Sequence, residues 1–505
     1  MRKLAYLVGL VAASALVSSA CVEKIDTNPP GGGSGGTAGS GGGTGGETNT
    51  LTELYGSGSR LQAVFVDAGD GADRFLHFYD SDLDQTCGFA ELGDGAVRCA
   101  PTQLTTIHYT DANCETPVVV QRACDAELPA HVSVFAEDVC QDANVRQLET
   151  YTLGAAATPT NLYVDNGQGC VEDTTYDEAN DLVYEVATAD ETIFAEATLE
   201  DHEADGGLGQ RVATAEDGAY QVLGAYNVAR EEGCGAMAVG DETLCLSANL
   251  AYGVDLHSSA SCDSADVAYS LNPSECGDPQ AVVKYTPAQD QCEPATTTLH
   301  ALGDEVDATG VYTDAYGSCE LTPDTERRYF EIGGEAMEGI VPALAAETVG
   351  TGRLTLQRMT TADGVPVAYA DASSYLDTER DESCGLYSTV AGDKCLPVMQ
   401  QYPNAGTGYF ADDQCTVQLV NVATTACATE PPAYVSFWAE DTGTCASYAV
   451  ETVHAVGAEH AGAIYQDVAG NCTEVVLEGI DFYELGAEVA LSDFADLEQV
   501  TQIAE

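Results

Sequence analysis

Cysteine placement constrains this 505-residue chain more than any other feature. Eighteen of its 19 cysteines fall into three groups of six. The groups are Cys87, Cys99, Cys114, Cys124, Cys140 and Cys170; then Cys234, Cys245, Cys262, Cys276, Cys292 and Cys319; then Cys384, Cys395, Cys415, Cys427, Cys445 and Cys472. First-to-second gaps are 12, 11 and 11 residues, and fifth-to-sixth gaps are 30, 27 and 27. An even count at recurring spacings is the mark of a disulfide framework in an exported chain. No C-x-x-C pair or suitable histidine spacing points to zinc.

The surrounding residues recur with the cysteines. "LYVDNGQGC" (162–170), "VYTDAYGSC" (311–319) and "IYQDVAGNC" (464–472) repeat one phrase. "RLQAVFVDAGDGADRFLHFYD" (60–80) aligns with segments beginning at Arg211 and Arg353, and "VYEV", "YFEI" and "FYEL" close the three units. Agreement at this many positions identifies a tandem triplication. The boundaries it predicts are 58–206, 207–349 and 350–505.

Periodicity within each unit is two. Short runs rich in Val, Tyr, Phe and Thr alternate with Gly-Asp, Asp-Gly and Asn-Gly turns. The fold class is therefore all-β: tandem, disulfide-stapled antiparallel β repeats with ten to twelve strands each. The strand grouping suits a β-propeller-like ring, with three separate stapled domains as the alternative. In "CGFAELGDGAVRC" (87–99) a Gly-Asp-Gly turn brings Cys87 opposite Cys99. The same layout predicts Cys234–Cys245 and Cys384–Cys395. Pairing in cysteine order then predicts Cys114–Cys124, Cys140–Cys170, Cys262–Cys276, Cys292–Cys319, Cys415–Cys427 and Cys445–Cys472. Asp165, Asp314 and Asp467 are expected to open Asx-turns.

The N-terminus reads as an export signal over residues 1–20: Arg2 and Lys3, an apolar run from Leu4 to Val17, then "SSAC". Ala20-Cys21 resembles the lipobox of bacterial lipoproteins, which implies lipidation at Cys21. Val22 in place of aspartate favours the outer membrane or cell surface. Residues 21–57 contain a Gly/Ser/Thr tract that behaves as a flexible tether. With 82 Asp+Glu against 17 Lys+Arg, the formal charge of −65 repels phosphate backbones and argues against nucleic-acid partners.

Candidates for chemistry are few. Asp80, Asp82, Asp84 and Glu91 stand at positions 1, 3, 5 and 12 of an EF-hand-like loop, which predicts calcium as a candidate ligand. Gln85 occupies the position where that loop needs glycine, so a solvated acidic hairpin is the competing reading. The eight histidines form no H-E-x-x-H; His300 and His454 share one repeat position, which aligns with Thr152. No residue is assigned a catalytic role. The leading expectation is a non-enzymatic, lipid-anchored scaffold for binding or adhesion at the surface, its partner a protein or glycan. An exported hydrolase acting on glycans through an unidentified carboxylate pair is the alternative.

Five stretches stand out together: "SRLQAVF", "GDG", "CGFAELGDGAVRCAP", "YTDANCETP" (109–117) and "LGAEV" (485–489). Through them the repeats resemble the Cys-rich repeat of uncharacterised surface lipoproteins of myxobacteria. The resemblance extends over about 450 residues and implies a domain of unknown function at the cell surface, with no catalytic residues or cofactor.

Overall fold

A computed structural model describes residues 54–502, apart from short segments of which the longest are 123–128, 287–295, 322–326, 336–341, 424–431 and 439–448. The described residues are all-β, as the period-two pattern predicts, with four 3-10 turns as the only helical elements.

Hydrogen-bonded strands run without interruption around a ring. In the first repeat Leu61–Asp67 pairs with Arg74–Asp80, then Gln85–Glu91, then Val97–Pro101, and that strand pairs with Glu196–Glu203 from the repeat's end. Glu196–Glu203 passes the sheet on to Leu208–Ala215, the opening strand of the second repeat. The second repeat repeats the order through Tyr220–Asn227, Glu232–Val239, Glu242–Leu246 and Ala343–Val349, which pairs with Leu354–Thr360 of the third. The third continues through Ser374–Asp377, Glu382–Thr389, Gly392–Pro397 and Ala495–Asp496. Its last strand, Glu498–Gln502, returns to Leu61–Asp67, with Phe65 opposite Val500. The ring is closed.

Each opening hairpin serves two repeats. Leu61, Leu208 and Leu354 stand at equivalent positions and are buried in their own repeat's core. Five residues later, Val66, Ala213 and Met359 are buried in the core of the preceding repeat, cyclically for Val66, which packs with Leu354, Tyr375 and Leu497. Alternating strand faces would not allow both. Register shifts at Val64/Phe65 and Arg211/Val212 change the facing in the first two hairpins. In the third, the partner strand is split into Pro366–Tyr369 and Ser374–Asp377. Structural equivalence thus aligns Leu61 with Leu208, correcting the alignment of Arg60 with Arg211; Gly207 takes the arginine's place.

The middle of each repeat closes into a small five-stranded barrel outside the ring. In the second repeat Ala251–His257, Val267–Ser270, Tyr329–Glu335, Thr296–Val306 and Val282–Thr286 pair in a circle, the last returning parallel to the first. The third repeat matches it, with Gln400–Pro403 parallel to Tyr434–Trp438 at the same seam. In the first, that seam narrows to a parallel bridge between Leu104 and Ser133. A glycine sits at the same bulge in all three barrels. A Cβ on Gly154, Gly303 or Gly457 would meet the carbonyl oxygen of Glu185, Glu331 or Glu484 at 3.1, 2.6 and 2.7 Å. Only glycine admits that approach without a backbone shift.

Seven disulfides join described cysteines. Cys87–Cys99, Cys234–Cys245 and Cys384–Cys395 staple the ring hairpins, each with Cα atoms 5.2 Å apart. The bridge runs diagonally: Cys99 is opposite Phe89 and Cys87 opposite Pro101. The remaining pairings correct the cysteine-order expectation. Cys114 bonds Cys170 rather than Cys124, Cys262 bonds Cys319 rather than Cys276, and Cys415 bonds Cys472 rather than Cys427. Cys140 bonds Cys276 of the next repeat rather than Cys170. Cys292–Cys319 and Cys445–Cys472 fail for the same reason, because Cys319 and Cys472 are already engaged. The cause is local. The third cysteine sits in a tight turn at positive φ (55°, 50° and 54° at Cys114, Cys262 and Cys415) that packs on the hairpin carrying the sixth.

That turn also relocates the expected Asx role. Asp165, Asp314 and Asp467 lie within strands, each directly opposite its cysteine. The turn-capping carboxylates are instead Asp111, which accepts from the backbone N–H groups of Asn113 and Thr116, and Asp412, which accepts from Thr416 and Val417. The second repeat has Ser259 in this place. Cys21, residues 22–53, and Cys124, Cys292, Cys427 and Cys445 lie outside the described residues. The end of the predicted tether is corrected: Leu54 and Tyr55 are buried in the first repeat's core, and Tyr55–Gly56 pairs with Gln221 and Tyr220.

Candidate functional site

The acidic turn of the first repeat forms between Arg74–Asp80 and Gln85–Glu91, and Asp84 adopts the left-handed conformation that closes it (φ 53°). Glu231 and Asp381 do the same at φ 54° and 53° in the other repeats. The four carboxylates of the calcium expectation do not converge. Asp80 is fully buried and receives Arg60 Nε and Nη2 at 2.8 and 2.7 Å. It also accepts from the backbone N–H of Asp82 at 3.0 Å. The Asp84 carboxylate takes the Tyr79 hydroxyl, and Glu91, one strand further on, takes Gln147 Nε2 at 3.1 Å. Among the described residues no group of three or more His, Cys, Asp or Glu side chains is placed to hold a metal ion.

What the turn does is join ring to barrel. Arg60 Nη2 continues to the carbonyl of Ile193 at 2.7 Å, in the 3-10 turn before the repeat's closing strand. The third repeat rebuilds the arrangement: Arg353 Nη2 reaches buried Asp377 at 2.7 Å and the carbonyl of Asp493 at 2.8 Å. The second repeat has Gly207 and Asn227 at these positions, so both charges are lost together. A second pair follows the same rule. Arg98 faces Glu196 across the ring and Lys394 faces Asp496, whereas the second repeat places Leu244 opposite Ala343. Left alone, the buried carboxylates of Asp80 and Asp377 or the buried cations of Arg98 and Lys394 would be destabilising, which explains the paired replacement, although Glu196 and Asp496 themselves stay exposed.

The other candidate groups are also structural. His300 and His454 are equivalent to Tyr151, one residue from the expected Thr152, since Leu153, Leu302 and Val456 share a register against Val186, Ile332 and Leu485. Their Nδ1 atoms bond the carbonyls of Gly333 and Gly486 at 3.2 and 3.3 Å. The proton affinity of the Asp73 carboxyl is raised: burial, then the neighbouring Asp67, pushes it up to about 6. It stands at the turn end of the hairpin that closes the ring, where Asp67 faces Glu498. Beside it Arg74 is buried over the Tyr375 ring of the third repeat, 5.7 Å from its centroid. These groups face a strand seam and line no described cavity. A shallow depression of about 480 Å³, open to solvent, is lined by Thr110, Thr158, Thr160, Asn161 and Tyr163 at the rim of the first barrel. Its polar, uncharged lining can hydrogen-bond a ligand but supplies no acid or base.

Sequence reasoning missed the Arg–Asp joints, for which the signal was the joint occurrence of Arg60 with Asp80 and of Arg353 with Asp377. Among the described residues no helix is long and apolar enough to cross a membrane. No curated protein and no solved structure matches the chain. A family of unknown function, DUF7481, matches residues 43–493, about nine-tenths of the 505-residue chain, and the chain belongs to that family.

Proposed function

We propose that the chain is a lipid-anchored, non-enzymatic scaffold exposed at the bacterial outer membrane or cell surface, where three stapled β units present a binding or adhesive face. The observation that carries this reading is the disulfide-stapled ring itself. Seven disulfides belong to an oxidising, extracellular environment. A body that repeats one barrel and one stapled hairpin three times around a closed ring suits display to a multivalent partner, because linked sites raise avidity without new contacts. The export signal, Cys21 and the Gly-rich tether supply the anchor and standoff, and the repeats span 58–206, 207–349 and 350–505.

A glycan and cell-surface binding array, probed with the oxidised body lacking residues 1–50, tests the function. Binding of a surface glycan or protein without turnover supports the scaffold; release of shortened glycan products overturns it in favour of a hydrolase. Anchoring is tested separately. Cys21→Ser should move the protein from the membrane to the soluble fraction, and identical fractionation of variant and parent refutes lipidation.

A further inference from the structure

Two pinned pieces of chain build the depression at the rim of the first barrel. One is the loop 158–161. The buried Leu162 anchors its exit in a cluster with Val118 and Val183. The Asp173 N–H donates to the Leu162 carbonyl at 2.8 Å, and the Tyr176 hydroxyl donates to the Pro159 carbonyl at 3.1 Å. The other piece is a pair of neighbouring strands that brings Thr110 beside Tyr163: Tyr163 is opposite Tyr109, and the Cys114–Cys170 bond holds the adjoining turn. The backbone is fixed, but the side chains that line the depression are free. Those of Thr110, Thr158, Thr160, Asn161 and Tyr163 make no hydrogen bond among the described residues. The other two repeats close the same place with their own atoms. Thr110 corresponds to Ser258, whose hydroxyl donates to Asp266 at 2.7 Å, and to Ala411, which has no hydroxyl. The second repeat's loop is a 3-10 turn in which the Asp307 carboxylate accepts from the N–H and hydroxyl of Thr309, at 2.9 and 2.8 Å. The third repeat has Ala461, Gly462 and Ala463 there, with His460 Nε2 3.3 Å from the Ala463 carbonyl. Only the first repeat gathers unpaired polar groups at this rim.

We propose that this depression binds a neutral sugar unit of a surface glycan, held by Thr158, Thr160 and Asn161 against Tyr163. The inference rests on the scaffold reading above and names the chemical class of its partner. Hydroxyl and carboxamide groups both donate and accept hydrogen bonds, as sugar hydroxyls do. Tyrosine adds an apolar ring face with a polar tip, which suits a ring with one C–H face and a hydroxylated edge. The volume of about 480 Å³ lies in the range of small-ligand sites. A loop already pinned at Pro159 and Leu162 spares the cost of ordering it on binding. Charge selects against ionic ligands. No carboxylate lines the depression, so a cation finds no partner there. Asp111 follows Thr110 in the chain, Glu172 faces Tyr163 across its hairpin, and the chain as a whole carries −65, so an anionic sugar is repelled. An extended peptide would add to an open strand edge. Tyr163, the strand residue of the lining, offers none, because Ile107–Tyr109 and Cys170–Glu172 flank its strand on both sides.

Titration of the full oxidised chain over an array tests the proposal. The array carries neutral hexose oligosaccharides, uronate- and sialate-bearing oligosaccharides, and unglycosylated peptides. The expected result is saturable retention on neutral oligosaccharides, with Thr160→Val and Asn161→Ala each raising the apparent Kd about 3- to 10-fold. Both side chains are exposed and make no internal hydrogen bond, so the variants should melt with the parent, which separates a lost contact from a lost fold. Retention only on acidic oligosaccharides or only on peptides overturns the neutral-sugar assignment and leaves the scaffold reading standing. Neutral binding that neither variant weakens by twofold overturns the site and likewise spares the scaffold. Retention on no array member overturns the proposal, and release of shortened oligosaccharides overturns the scaffold reading with it.

Discussion

The Arg60–Asp80 joint offers a sharp energetic test because the molecule already contains its double replacement. Asp80 is fully buried, while the Arg60 side chain retains 24% of its exposure. Arg60→Ala leaves a buried carboxylate without its cation and should cost about 3–5 kcal/mol. Asp80→Asn keeps an oxygen for the N–H groups of Asp82 and Leu83 and leaves a guanidinium that can still reach water, so about 1–2 kcal/mol is expected. The double variant resembles the second repeat, where Gly207 and Asn227 occupy these positions in a ring of the same geometry. It should cost about 2 kcal/mol, giving a coupling of at least about 2 kcal/mol in a double-mutant cycle. Equilibrium urea unfolding with disulfides intact measures it, if the m value is common to the four proteins. Additivity within about 0.5 kcal/mol refutes the reasoning that the pair acts as one unit.

Gly457→Ala forces a Cβ against the Glu484 carbonyl and should destabilise by about 1–3 kcal/mol in thermal unfolding. Gly310→Ala, where nothing lies within 4 Å, is the control and should leave the melting temperature nearly unchanged. The raised proton affinity of Asp73 means that the folded state binds its proton more tightly than the unfolded chain. Its stabilising effect is present at low pH and lost as pH rises through about 6. Asp412 has the opposite sign: the Thr416 hydroxyl, then the Val417 N–H, hold its carboxyl below the ordinary value, so its contribution is lost as pH falls through that lowered value. Melting temperature should therefore rise from pH 7.5 to about 5 and fall again toward pH 3. Asp73→Asn should flatten the upper limb, an effect of about 1 kcal/mol after screening.

Fold class and triplication were legible because strand alternation and cysteine spacing are local signals. The ring hairpin pairs were legible for the same reason, since a Gly-Asp-Gly turn brings Cys87 and Cys99 together. The other pairings were not reached by local reasoning, because the partners of Cys114, Cys262 and Cys415 lie on a distant hairpin. A numerical trace of them existed: third-to-sixth separations of 56, 57 and 57 are nearly invariant, whereas third-to-fourth separations of 10, 14 and 12 are not. Ring closure left no such trace in the first strand, since Leu61–Asp67 reads like any amphipathic edge. The calcium expectation failed because carboxylate spacing carries no information about Arg60, which lies 20 residues before Asp80 and occupies the oxygens a cation would need.

Closure of the ring by Glu498–Gln502 on Leu61–Asp67 is the central structural claim, and hydrogen–deuterium exchange measures it directly. In the full oxidised chain, amides of 61–67 should exchange as slowly as those of 208–215, which are paired on both sides. In a chain ending at Leu497, exchange over 61–67 should accelerate sharply while 208–215 stays protected. Equal protection of 61–67 in the two chains would contradict closure by the C-terminal strand.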